Sequence, residues 1–252
     1  MLSKNKIKFI RSLEYKKFRN ESDCFLAEGN KLVADILPFF ECECLITTSS
    51  WLATQADVFT KELIVAEKDD IERASLLKTP QDVIAVFRRP QYNLENEALK
   101  NELSLVLDSI QDPGNLGTII RLADWFGIKH LICSTDTADV FNPKTVQASM
   151  GAIARVRVFY KSLPDWLDEM ESITIYGTFL EGKNIYTENL SSSGLIVMGN
   201  EGNGISPPVE KNINRKLYIP NYPTEAESTE SLNVAVATAI VCSEFRRKQV
   251  YK

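Results

Sequence analysis

The chain has 252 residues, of which 44% are hydrophobic and 25% are charged, and its formal net charge is −5. This composition is ordinary for a globular protein and argues against a protein that coats nucleic acid through bulk positive charge. No run approaches the ~20 apolar residues that a membrane span needs, and the basic N-terminus lacks the apolar core of a signal peptide, so we expect a cytoplasmic protein with no membrane partner.

Histidine and cysteine chemistry is largely excluded. His130 is the sole histidine of the sequence, which rules out multi-histidine metal sites, and we expect it at a loop or strand edge rather than in catalysis. The five cysteines have no metal-ligand spacing, so we expect reduced thiols and no metal site. Any chemistry must use Arg, Asn, Ser, Glu, Asp, Lys or Tyr side chains.

The segment before residue 93 alternates short helix and strand patterns. Residues 3–20 predict one amphipathic helix, and four strands are predicted by FLAEG, CLITT, ELIVAE and DVIAVF. We therefore predict a small α/β domain over residues 1–92. The polar, charged stretch that follows predicts a linker over residues 93–102.

The N-terminal segment is basic although the whole chain is acidic. Residues 1–20 carry seven basic side chains against one acid, Glu14. Two interpretations stay open, a solvated amphipathic helix and a contact surface for a polyanion.

Residues 103–252 show a cleaner alternation of strands and amphipathic helices. LSLVL, HLICS, ITIYGTFL, GLIVM and KLYIP predict strands, and residues 230–249 predict a long closing helix. Such alternation predicts a parallel, doubly wound sheet, in which ligands bind at the carboxyl ends of the strands.

Three loops at such ends carry polar residues. The first, DPGNLGTIIR, contains Asn115 and Arg121, and the second, GNEGNGIS, contains Glu201. In the third, IP is followed by ESLNVAVATA with Ser231 and Asn233. Taken singly, each loop also has a purely structural interpretation. The first could be an Asn helix cap with a surface Arg, the second a glycine turn, and the third a helix cap by Ser228, Thr229 or Ser231. No loop supplies GxGxxG with an acidic ribose partner or a P-loop Lys, which disfavours a nucleotide-phosphate enzyme.

Together the three loops resemble the motifs of the SpoU class of RNA 2′-O-ribose methyltransferases, the TrmH-like branch of the SPOUT superfamily. The resemblance covers residues 103–248 and includes SMGA at 149–152. FLAEGNKLV and KTPQDVIAVF resemble the substrate-binding domain that precedes many of these enzymes and is related in fold to ribosomal L30e proteins.

The resemblance implies a fold and a cofactor. It implies an α/β architecture, with a parallel-sheet SPOUT domain over residues 103–252 that contains a deep trefoil knot and a small L30e-like domain in front. It also implies that S-adenosylmethionine is bound largely by backbone groups. The residues that it assigns to the cofactor are Thr178, Gly199, Asn200, Gly202, Ile219 and Leu232. A loop with an acid and no Lys or Arg suits the sulfonium cation of this cofactor better than it suits a phosphate.

The resemblance also implies methyl transfer to a ribose 2′-oxygen and the residues that carry it. Arg121 is the principal catalytic residue, as a base or as an electrostatic stabiliser. The residues that assist it are Asn115, Glu201, Ser231 and Asn233. The implied partner is RNA, with ribosomal RNA ahead of transfer RNA, and the implied assembly is a homodimer through the knotted domain. An inactive RNA-binding protein of the same fold is the alternative.

Three features depart from the family pattern. An acidic insert occupies residues 221–230, Ala235 stands where many relatives have Ser, and Gln147 stands where relatives often have Arg. Each affects an expected phosphate contact rather than a residue of the catalytic set.

Overall fold

The fold comes from a computed structural model of the protein, which describes residues 2–223 and 231–250. Its residues form two compact units. Unit 1 contains the residues up to Gln91 together with Asp139–Ala154. Unit 2 contains Tyr92–Ala138 and the residues from Arg155 onward.

Short elements make up the first part of the chain. In order they are α1 (Lys4–Ser12), α2 (Lys16–Ser22), β1 (Cys24–Glu28), α3 (Asn30–Ile36), β2 (Cys42–Thr47), α4 (Ser49–Leu52), β3 (Leu63–Val65), α5 (Lys68–Ala74) and β4 (Val83–Arg88). The later elements are α6 (Asn96–Leu99), β5 (Leu103–Leu107), α7 (Pro113–Trp125), β6 (His130–Ser134), α8 (Pro143–Ser149), a 3-10 turn (Ala152–Ala154), β7 (Arg157–Lys161), α9 (Leu163–Asp168), β8 (Ile175–Asn184), β9 (Gly194–Met198), α10 (Pro207–Glu210), β10 (Arg215–Tyr218) and α11 (Val234–Val250).

Unit 1 is built on a mixed four-stranded sheet in the order β1-β4-β2-β3. Strand β4 is antiparallel to both β1 and β2, whereas β3 is parallel to β2. Buried residues from α1, α5 and the sheet, such as Ile10, Ile71 and Ile84, share one hydrophobic core. The four strands predicted from the sequence before residue 93 are all present.

The helix predicted over residues 3–20 is instead two helices, and the buried side chain of Arg19 accounts for the break. Helix α1 ends at Ser12 and α2 begins at Lys16. The Arg19 guanidinium donates to the carbonyls of Leu13 (2.8 Å) and Glu14 (2.7 Å), which the break leaves without helical partners. It also pairs with Asp139 at 2.6 Å, and Arg19 is only 1% exposed. The amphipathic pattern could not predict these contacts of Arg19, because an arginine in such a pattern is expected at the surface.

Unit 2 is built on a six-stranded sheet in the order β10-β8-β9-β5-β6-β7, in which every neighbouring pair is parallel. This confirms the predicted parallel sheet. The central strands β5 and β9 are fully buried, as strands covered on both faces must be. Helix α7 packs against α11, and Arg246 of α11 donates to the carbonyls of Phe126 (2.7 Å) and Gly127 (3.2 Å) where α7 ends.

The segment predicted as a linker contains structure of its own. Residues 96–99 form α6, and Leu99 is fully buried in the core of unit 2 with Val106 and Trp166. The boundaries predicted from the sequence, with one domain ending at residue 92 and the next beginning at residue 103, stay a prediction.

The cysteines, the metal-ligating residue types and the apolar helices were each expected to have no special role. All five cysteines are free and buried, and burial raises the pKa of the Cys44 thiol to about 12. Within residues 2–223 and 231–250, no group of His, Cys, Asp and Glu could hold a metal ion. No helix in the same ranges is long and apolar enough to cross a membrane.

Replacement of Arg19 by Ala is expected to destabilise unit 1 by about 3–5 kcal/mol, because Asp139 would be left as an unpaired, largely buried carboxylate. The free energy of unfolding in urea measures this change. Lys17→Ala is the matched control, since the Lys17 side chain is 77% exposed and a change within about 0.5 kcal/mol is expected. Equal losses in the two variants would contradict the assigned role of Arg19.

Candidate active site

The first motif places Asn115 in the opening turn of α7. The Asp112 side chain caps the helix by accepting from the Asn115 backbone N–H at 2.8 Å, and Pro113 takes the first helical position, where no N–H is needed. The helix follows β5, a central strand of the sheet. Asn115 is therefore presented near the carboxyl end of that strand, as expected for a ligand-binding loop.

The second motif is a tight loop organised by Asn200. Its side-chain oxygen accepts from the backbone N–H groups of Gly202 (2.9 Å) and Asn203 (3.1 Å), and its side-chain nitrogen donates to the Ser109 carbonyl (2.8 Å). Its backbone pairs with Gly204 in both directions at 2.9 Å. Both ends of the Asn200 side chain thus hold the loop and fasten it to the end of β5.

Glycine is required at Gly199 by a close backbone approach within this loop. A Cβ atom on Gly199 would lie 2.3 Å from both the carbonyl carbon of Gly204 and the nitrogen of Ile205. At Gly202 the nearest atom to an added Cβ is Asn200 Oδ1 at 3.6 Å, which is ordinary contact. The two glycines expected to allow close approach therefore differ, and the tight approach at Gly199 comes from the protein's own backbone.

The third motif enters α11 through Asn233. The Asn233 side-chain oxygen accepts from the backbone N–H groups of Ala235 (3.0 Å) and Val236 (3.3 Å), so Asn233 caps the helix. Helix α11 thus begins at Val234 and not at residue 230, as the sequence pattern predicted. The proposed caps Ser228 and Thr229, with most of the acidic insert, lie outside the described residues. Ala235 is buried, 5% exposed, so its side chain has little access to a ligand.

The three motifs meet at the side-chain amide of Asn115. Its nitrogen donates to Glu201 Oε1 at 2.6 Å, and its oxygen accepts from Asn233 Nδ2 at 3.1 Å. A hydrogen bond to a charged group contributes roughly 1.5–3 kcal/mol, and a neutral one about 1 kcal/mol. We call Asn115, Glu201 and Asn233 the polar cluster.

Asp108 also shapes the site, although it is not among the site residues predicted from the sequence. It is 4% exposed, and its Oδ2 accepts from the Ser206 backbone N–H at 2.7 Å at the far end of the glycine loop. The signal was present as an acid at the end of the apolar run LSLVLD, since a carboxylate there needs nearby donors.

Arg121 does not join the polar cluster. It lies six residues after Asn115 on α7, which corresponds to about 9 Å of rise along the helix. Arg121 is exposed, and no hydrogen bond or ion pair joins it to another residue in the described ranges. Ser231 and Asn233 are exposed as well. The structure therefore groups three of the five predicted catalytic residues and leaves the Arg121 guanidinium open to solvent.

The residues assigned to the cofactor lie in or after the three neighbouring strands β8, β9 and β10. Thr178 lies within β8, Gly199 directly follows β9, and Ile219 directly follows β10. Gly177 of β8 pairs with Val197 of β9 and with Lys216 of β10. Leu232, 47% exposed, directly precedes the cap residue Asn233. Ile219 and Leu232 offer apolar surface, Glu201 supplies the charge of the glycine loop, and residues 199–206 contain no Lys or Arg. These residue types fit a ligand with a flat apolar ring and a sulfonium cation.

Comparison with known proteins identifies the family. Residues 102–243 match the SpoU rRNA Methylase family, and residues 4–85 match the MRM3-like substrate binding domain. The chain belongs to the SpoU rRNA methylase family. The resemblance drawn from the three motifs is confirmed, and so is a substrate-binding type of domain before the methyltransferase domain.

Similar proteins carry the same class of activity. The 23S rRNA (guanosine(2553)-2′-O)-methyltransferase RlmP of Bacillus subtilis is 33% identical over 96% of each chain. A TrmH-family protein from Porphyromonas gingivalis has a TM-score of 0.89 at 44% identity, covering 98% of this chain and 99% of its own. AviRb, a SpoU methyltransferase from Streptomyces viridochromogenes solved with AdoMet, has a TM-score of 0.84 at 25% identity over 99% of each chain. The expected enzyme class is confirmed as an RNA 2′-O-methyltransferase that uses S-adenosylmethionine.

Replacement of Gly199 by Ala is expected to destabilise unit 2 by about 1–3 kcal/mol, because the added methyl group collides with backbone that cannot move aside without opening the loop. S-adenosylmethionine binding should weaken in parallel, as measured by calorimetry. Gly202→Ala is the matched control, and its stability should change by less than about 0.5 kcal/mol. A Gly199→Ala protein as stable as this control would show that the loop does not need the close approach.

Proposed function

We propose that this enzyme methylates a ribose 2′-oxygen in 23S ribosomal RNA. The observation that carries the proposal is the polar cluster, which joins the three SpoU motifs at the carboxyl end of the sheet. The choice of RNA is supported by relatives that cover most of the chain. RlmP of Bacillus subtilis and RlmB of Neisseria meningitidis, which is 35% identical over 74% of this chain, are both named as 23S rRNA methyltransferases.

The chemistry requires that a weak nucleophile become reactive. S-adenosylmethionine supplies the methyl group, and the ribose hydroxyl attacks it only as its proton leaves and negative charge grows on the oxygen. Arg121 is our choice for the group that stabilises this charge and holds the neighbouring phosphate. A guanidinium almost never loses its proton in a protein, so we assign Arg121 an electrostatic role rather than that of a base. Its exposure and its lack of a partner in the described ranges leave its N–H donors available to RNA.

The polar cluster would position the ribose. Asn115 is held from two sides, so its amide is fixed in one orientation, and Glu201 keeps unused acceptor capacity for a substrate hydroxyl. Ser231, two residues before Asn233, would add a hydroxyl at the edge of the same pocket. The absence of a bond from Asn115 or Glu201 to Arg121 supports roles toward the substrate rather than toward the arginine.

The cofactor would lie against four backbone segments, in a trefoil knot of the kind that the family resemblance implies. Thr178, Gly199, Ile219 and Leu232 would contact it, and Gly202 would keep the loop thin. Asn200 would act by shaping the loop, since its side chain is fully used inside the protein.

We also propose a cytoplasmic homodimer formed through unit 2. Exposed apolar side chains on the packed helices α7 and α11 support such an interface, namely Trp125 (83% exposed) and Val236 (52%). Apolar surface of this kind is costly in water and marks contact sites when it is contiguous.

The direct test is transfer of labelled methyl from S-adenosylmethionine to 23S rRNA and to transfer RNA, both transcribed in vitro without modification. A 2′-O-methyl group blocks alkaline cleavage at its phosphodiester, so label in an alkali-resistant dinucleotide from 23S rRNA is expected. Label in transfer RNA alone would overturn the choice of substrate, and label in mononucleotides would overturn the chemistry. Cofactor binding without transfer to any RNA would favour an inactive RNA-binding protein.

In the same assay, Arg121→Ala is expected to lower the rate of transfer by a factor of about 100 or more while S-adenosylmethionine binding is unchanged. The physical reason is the loss of the cation that stabilises the developing oxyanion. Lys129→Ala, which removes another exposed cation shortly after α7, serves as control and should retain the wild-type rate. Transfer by Arg121→Ala within a few-fold of this control would remove Arg121 from the catalytic set.

A further inference from the structure

Only part of the N-terminal basic segment is available to a partner. Lys6 is paired with Glu62 at 2.5 Å, Arg11 donates to the Ser75 carbonyl at 3.0 Å, and Arg19 is buried with Asp139. These three cations stabilise unit 1 itself. The exposed cations of this segment that make no such close contact within unit 1 are Lys4, Lys8, Lys16 and Lys17.

These four lysines make few stabilising ion pairs within the protein. Lys4, Lys8 and Lys16 have no ion pair with another residue in the described ranges, and Lys17 lies 3.8 Å from Glu21 while its side chain is 77% exposed. Exposed pairs of this kind contribute about 0–1 kcal/mol. Four exposed cations within residues 4–17 of a chain of net charge −5 are therefore not explained by the stability of unit 1.

Three aromatic side chains are interleaved with these lysines and are also exposed. Tyr15 is 61% exposed, Phe18 is 41% exposed and Phe9 is 37% exposed. The Tyr15 and Phe18 rings meet edge to face, with centroids 6.5 Å apart. Aromatic rings usually bury most of their area when a protein core can accept them, so three exposed rings within ten residues indicate a contact outside the chain.

The apolar residues at the inward side of α1 are already buried. Ile10 of α1 and Leu13, which directly follows that helix, are fully buried in the core of unit 1. On α1, Lys4 and Lys8 are one turn apart. Both are exposed, and so is the Phe9 ring. A lipid surface would need a wide apolar face to insert, and here that face is in the protein core.

We infer that the outward sides of α1 and α2 bind the RNA substrate, with Lys4, Lys8, Lys16 and Lys17 at phosphates and with Phe9, Tyr15 and Phe18 stacked on unpaired bases. Positive side chains along a backbone path and aromatic faces for bases are the combination by which proteins hold single-stranded RNA. The inference rests on the proposed function, because it assigns the RNA of that reaction to a surface of the N-terminal unit. It adopts the second of the two interpretations that the sequence left open for this segment, the contact surface for a polyanion.

Two variants separate the charges from the rings. The charge variant replaces Lys8, Lys16 and Lys17 by Gln, and the ring variant replaces Tyr15 and Phe18 by Ala. Their controls are Lys78, Lys129 and Lys211 replaced by Gln, and Phe59 replaced by Ala, because these residues are also exposed. Binding to unmodified 23S rRNA transcript is measured between 50 and 200 mM salt, after urea unfolding has shown wild-type stability for each protein.

The charge variant is expected to reduce the slope of log affinity against log salt by about 2–3, since each phosphate contact accounts for roughly 0.7–0.9 of that slope. The ring variant is expected to bind about tenfold more weakly at every salt concentration with an unchanged slope, because stacking releases no counterions. Both controls should bind as the wild type does.

The inference is overturned if the charge variant keeps the wild-type slope, or if the ring variant binds like Phe59→Ala. It is also overturned if the wild type binds vesicles of phosphatidylserine and phosphatidylcholine through these residues while RNA binding ignores them. Failure of the proposed function is seen separately, because the wild-type protein would then transfer no methyl group to this RNA whatever the variants bind.

Discussion

The candidate site depends on one side-chain amide that donates and accepts at once. Asn115 gives a hydrogen to Glu201 and takes one from Asn233, so residues 86 and 118 positions away in sequence are held at the start of one helix. Asp could not donate to Glu201, and Ser or Ala could not span both partners. The orientation of the glycine loop and the entry into α11 are therefore coupled through a residue of the first motif.

Supporting contacts surround this amide and fix its partners in turn. Asp112 orients the backbone of Asn115, Asn200 shapes the loop that carries Glu201, and Asp108 binds the end of that loop. Asn233 is both the cap of α11 and a donor to Asn115, so formation of the helix and closure of the site use the same side chain. Two residues of the cluster thus lie at helix starts, Asn115 in α7 and Asn233 before α11, and Glu201 lies in a loop whose backbone is bound by Asn200. Supporting contacts of this kind help a catalytic arrangement keep its geometry.

The sequence predicted the parallel sheet and the three loops well, because strand and helix periods and the position of polar loops at strand ends are local patterns. It also placed Asn115 and Glu201 in loops of the same sheet edge. What it missed depends on tertiary contacts. The closing helix was expected to begin at residue 230 and not after Asn233, Asp108 was overlooked, and residues 3–20 were expected as one helix. Each of these residues has a partner distant in sequence: Asn115 for Asn233, Ser206 for Asp108 and Asp139 for Arg19. Such contacts leave no periodic signal.

We infer above all that the polar cluster acts as a unit in methyl transfer. A double-mutant cycle on Asn115→Ala and Glu201→Ala, read as the rate of transfer to 23S rRNA, measures that coupling. If the two residues act through their shared hydrogen bond, removing the second should add little, and the double variant should be about tenfold faster than the product of the single effects predicts. A double variant whose loss equals that product would show that Asn115 and Glu201 act independently, and would contradict the claim.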